Sequence, residues 1–81
     1  MRNSVVGKMV FKYMNIEAER ARAGLSKGEL AKLLSASTRT YYNWIKGATP
    51  IPHTVLLRMK ELFQTSIDYL LEERDDTKNP F

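Results

Sequence analysis

Residues 26–47, SKGELAKLLSASTRTYYNWIKG, decide how this chain folds. Ser26 stands three residues before Glu29, so its hydroxyl and the glutamate carboxylate can satisfy the orphan N–H groups of a helix start. Leu30, Leu33 and Leu34 follow at i, i+3 and i+4, an apolar stripe that predicts a helix over about 27–34. After only Ser35 and Ala36, Ser37 can cap a further segment, TRTYYNWIK, which Gly47 closes. Two short helices therefore stand almost back to back. On a wheel of 100° per residue, Tyr41, Trp44 and Ile45 of the second helix cluster within about 100°, an apolar face for a core.

The flanks supply the rest of a bundle. Residues 16–23, IEAERARA, are strong helix formers ended by Gly24. Residues 48–52, ATPIP, contain two prolines and form a loop. Val55, Leu56, Met59, Leu62 and Phe63 then mark an amphipathic helix, and Ser66 with Asp68 opens a short last helix carrying Ile67, Leu70 and Leu71 inward. After Glu73 the chain turns polar. The first fifteen residues stay open: Val5, Val6, Met9, Val10, Tyr13 and Met14 are spaced like a helical stripe, whereas Gly7 and the alternation Met9, Phe11, Tyr13 suit a strand. This arm either packs on its own domain or pairs with a second subunit. The expected organisation is an arm at 1–14, a domain at 15–72 and a polar tail at 73–81, all-α, with four to five helices.

Composition agrees with one soluble domain. The 81 residues suffice for one core, and 43% hydrophobic with 27% charged residues is ordinary for a globular fold. There is no cysteine, hence no disulfide framework and no thiolate metal site. No apolar run approaches the roughly 20 residues of a membrane span, and the N-terminus lacks a signal-peptide core, so the expected location is the cytoplasm, without a membrane partner. The formal charge is +4. Glu72, Glu73, Asp75 and Asp76 outweigh Arg74 and Lys78 near the end, which leaves a basic body. A basic body draws polyanions, although charge alone is weak evidence for nucleic acid.

The side of the second helix away from its apolar face is more specific. Arg39, Asn43 and Lys46 fall at i, i+4 and i+7, with Tyr42 beside them and Thr38 at the N-terminal edge. Arginine can donate a bidentate pair to guanine, asparagine can pair bidentately with adenine, and a lysine near a helix end suits phosphate. Two short helices joined by a tight turn inside a small bundle present one helix to DNA in this way. Such a stripe taken alone is usually a solvated face.

From Asn15 to Leu71 the chain resembles the Cro/repressor-type, or XRE-like, helix-turn-helix family. The resemblance rests on ERARAGLSKGELAKLL, SASTRTYYNWIKG and IPHTVLLRMKELFQTSIDYLL, in that order. It implies a lambda-repressor-like bundle that binds double-stranded operator DNA as a transcriptional regulator, typically a repressor; because one such module contacts only a few base pairs, a homodimer on two half-sites is expected. It also implies a phosphate contact at Lys27 and base-edge or backbone contacts at Thr38, Arg39, Tyr42 and Asn43, with Lys46 on the backbone and Ser37 at the helix start completing the set. The chain departs from the family pattern at Lys27, where glutamine is common, at Ser35, where glycine is common, and at Ile45, where a glutamate often pairs with the arginine corresponding to Arg20. Arg20 accordingly needs another partner or stays wet.

Rival functions are weaker. A protein-interaction module of antitoxin or adaptor type, holding a regulatory partner, is the alternative. No Ser/His/Asp constellation, Gly-rich phosphate loop or metal-ligand cluster is present, so neither an enzyme nor a cofactor is expected. The lone His53 beside Pro52 makes a poor metal site.

Overall fold

The computed structural model describes residues 11–73. Five helices follow one another: α1 (Met14–Arg22), α2 (Lys27–Leu33), α3 (Thr38–Lys46), α4 (His53–Phe63) and α5 (Ile67–Leu70). No strand occurs among the described residues. The helix-or-strand question for the arm falls largely on residues 1–10, outside the described part. Residues 11–13 are non-helical, and Met14 and Asn15, expected at the arm's end and the domain's start, already belong to α1. The reason is tertiary: Asn15 donates its side-chain amide to the Tyr69 carbonyl (2.8 Å), and Tyr13 N–H donates to Ile45 O (3.1 Å).

Local chemistry sets the helix starts as the sequence implies. Ser26 accepts from the Glu29 N–H at 3.0 Å while the Glu29 carboxylate accepts from the Ser26 N–H at 2.8 Å, a complete capping box. Ser37 accepts from Thr40 N–H and Ser66 from Tyr69 N–H, each at 3.1 Å.

The helix ends share a second device. After α2, Ala36 N–H returns to Ala31 O and Ser35 N–H to Lys32 O; after α3, Ala48 N–H returns to Asn43 O and Gly47 N–H to Trp44 O. Both are closures through a left-handed residue that satisfy terminal carbonyls. At Gly47 (φ 83°) glycine is also sterically required, because an added Cβ would sit 2.5 Å from the Lys12 Cδ that crosses it. At Ser35 the left-handed angle (φ 59°) is held by a residue with a side chain, and Gln64 (φ 54°) does the same after α4.

Ile16, Leu30, Tyr41, Ile45, Met59 and Leu70 are completely buried, with Ala31, Leu34, Trp44 and Leu56 close behind. Burying a side chain of this size stabilises by about 1.5–3 kcal/mol. The stripe on α2 is Leu30, Ala31 and Leu34, and Leu33, expected inward, is 46% exposed; Leu62 of α4 likewise faces out. An α2 of only seven residues packed closely on α3 buries a narrow i, i+1, i+4 edge, so Leu33 falls outside it. Gly28 faces α3 at the same junction, where an added Cβ would lie 3.3 Å from Thr38 Oγ1.

Candidate nucleic-acid interface

The sequence of α3 divides its surface in two. Tyr41, Trp44 and Ile45 point into the core, Trp44 being 6% exposed. Thr38, Arg39 and Lys46 are exposed, and Tyr42 and Asn43 are half-buried along the same outer side. Among the described residues, the side chains of Arg39, Asn43 and Lys46 make no hydrogen bond or ion pair, so their donors are available to a ligand. No acidic residue stands in the first turn of α3, which leaves the positive end of the helix uncompensated by local charge. Ser37 is exposed, but its hydroxyl is engaged: it accepts from Thr40 N–H and donates to Thr40 Oγ1 at 3.0 Å.

Lys27 is partly buried and engaged by neighbouring side chains. Its side chain is 26% exposed, and Nζ stands 3.2 Å from Glu17 Oε1. The same ammonium lies 5.8 Å from the Phe11 ring centroid and 5.6 Å from that of Tyr42, distances at which the ring faces attract a cation. The two rings themselves are 6.2 Å apart and inclined at 52°. Lys27 and Tyr42 are thus brought together with each other and with Phe11, one end of a cluster whose other end is the core.

At the centre of that cluster is Glu17, whose side chain is 10% exposed. Arg20 donates to both of its carboxylate oxygens, 3.1 Å each, and also to the Leu25 carbonyl. The buried Tyr41 hydroxyl donates to Glu17 as well. Burial pushes the Glu17 carboxyl up, but hydrogen bonds from Arg20, Tyr41 and Lys27 outweigh it and hold the group below its ordinary value. The Tyr41 hydroxyl is pushed up by burial and by the bond to Glu17, and the Arg20 guanidinium by its bond to Glu17. Arg20 therefore has its partner one turn away on its own helix, in place of a glutamate at position 45, which here is a wholly buried isoleucine.

Sequence reasoning passed over Glu17 and Phe11. The i, i+3 spacing of Glu17 and Arg20 was the available signal for the first. Nothing local announces that the Tyr41 hydroxyl, 24 residues on, closes the network. Among the described residues no cluster of histidine or acidic side chains could hold a metal ion, and no helix is long and apolar enough to cross a membrane.

Searches of curated proteins and of solved structures find no match. A family model described as Helix-turn-helix matches residues 16–70, more than half of the chain, with α2, the turn and α3 inside the matched part. The chain belongs to the Cro and XRE-type helix-turn-helix family of DNA-binding proteins.

Proposed function

We propose that this protein is a cytoplasmic transcriptional repressor that reads a specific duplex sequence with α3 and binds as a homodimer. The observation that carries the reading is the division of α3: an aromatic and aliphatic underside anchored in the core, and an outer row of Thr38, Arg39, Asn43 and Lys46 with no internal partners among the described residues. In this arrangement Arg39 and Asn43 discriminate base edges, Thr38 and Tyr42 contribute at the shoulder, and Lys46 engages the backbone, while Ser37 fixes the exposed helix start.

A nine-residue helix is about 13.5 Å long and spans only a few base pairs. Two copies on half-sites about 34–36 Å apart supply the affinity that one cannot. Selection of bound oligonucleotides from a random pool, followed by anisotropy titrations, tests the reading. A two-fold symmetric motif is expected, and Arg39→Ala should lose about 1–3 kcal/mol on the selected duplex with far less loss on a scrambled one. Equal losses on both would refute base reading by α3.

A further inference from the structure

The cation at the start of α2 is partly buried and already engaged by an ion pair and two aromatic rings. From its contacts with Glu17, Phe11 and Tyr42 we infer that Lys27 is a positioning residue for DNA recognition: it fixes where Tyr42 stands on the outer face of α3, and it does not neutralise a phosphate. The inference rests on the DNA-binding reading above.

Three features support it. Glu17 is mostly withdrawn from water and is held from its inner side by Arg20 and Tyr41, so the carboxylate is a fixed anchor. An ammonium leaving it for a phosphate would abandon an ion pair and two ring faces together. Tyr42 lies one turn from Thr38 and Arg39 on one side and from Lys46 on the other, so the placement of its ring sets the shoulder against which those side chains stand. Its ring meets Phe11 on one side and the Lys27 ammonium on another, and no described residue hydrogen-bonds its hydroxyl. Holding the ring before DNA arrives removes an ordering cost from the correct complex, and the hydroxyl stays available to it.

The test compares wild type, Lys27→Met, Lys27→Arg, Tyr42→Ala and the Lys27→Met/Tyr42→Ala double variant on the selected and a scrambled duplex, across a salt series. Lys27→Met should lower the selected-to-scrambled affinity ratio roughly tenfold while the salt dependence of binding keeps its slope. Lys27→Arg, which retains the charge and can stack on rings, should restore the ratio, and the methionine effect should vanish once Tyr42 is alanine. A slope shallower by about 0.9, with equal losses on both duplexes, identifies a phosphate contact and overturns the inference. An unchanged ratio, or a loss that persists in full without Tyr42, overturns it too. A wild type that prefers no duplex sinks the DNA-binding reading itself and the inference with it. If Lys27→Met fails to fold, proton NMR of the free wild type decides: the Lys27 ε-methylene resonance should lie upfield under the two rings, and a random-coil shift overturns the placement.

Discussion

Replacing Glu17 by glutamine is the most informative single change to the fold. The carboxylate accepts two bonds from Arg20, one from Tyr41 and an ion pair from Lys27. Glutamine keeps one acceptor oxygen, turns the other into a donor aimed at cations, and removes the charge. Removing one member of a fully buried pair costs about 3–5 kcal/mol, and a hydrogen bond to a charged group is worth about 1.5–3 kcal/mol. Arg20 is 16% exposed and keeps the Leu25 carbonyl, so the cost falls below that of a fully buried pair and in the upper part of the charged hydrogen-bond range, about 2–3 kcal/mol. For a domain of this size that lowers Tm by roughly 10–20 °C. Urea unfolding of both proteins at pH 7 measures the gap.

Acid supplies an internal control. The folded-state Glu17 value lies below the ordinary 4.5, so its contribution is fully present above that value and is lost as pH falls through the folded-state value. The gap between wild type and Glu17→Gln should therefore close on acidification below about pH 4.5. A gap under about 0.5 kcal/mol at pH 7, or one that stays constant down to pH 3, would refute the assignment of Glu17 as a charged anchor.

Two further changes test the turns. Ser35→Gly should stabilise the protein by about 0.5–1 kcal/mol in chemical denaturation, because glycine takes the left-handed angle at φ 59° without the penalty that serine bears. Gly47→Ala should destabilise it by about 1–2 kcal/mol, since a methyl group meets both the positive φ of 83° and the Lys12 stem; a thermal melt within 2 °C of wild type would contradict this.

How much was legible depended on the range of the interaction. Starts and stops of α2 and α3 depend on neighbours within four residues, Ser26 with Glu29, Ser37 with Thr40 and Gly47 with the preceding turn, and those were visible in the sequence. The split faces of α3 were visible for the same reason, through its period. Leu33 and Leu62 were misplaced because an apolar stripe shows which side of a helix is favoured but not how wide a strip its neighbours cover. The early start of α1 depends on Tyr69 and Ile45, and the partner of Arg20 on a network completed by Tyr41, contacts that exist only once the chain has closed on itself.

The bond from Tyr13 N–H to Ile45 O, with the Lys12 stem laid over Gly47, carries a practical consequence. The last turn of a helix leaves carbonyls that its own chain cannot satisfy, and one of those on α3 is served from thirty-two residues upstream. Removing residues 11–13 would therefore unfasten the far end of α3, the helix proposed to read DNA, although these three residues belong to none of the five helices. Shortened versions made for crystallisation should begin ahead of Phe11, or the altered grip on DNA will be blamed on the wrong residues.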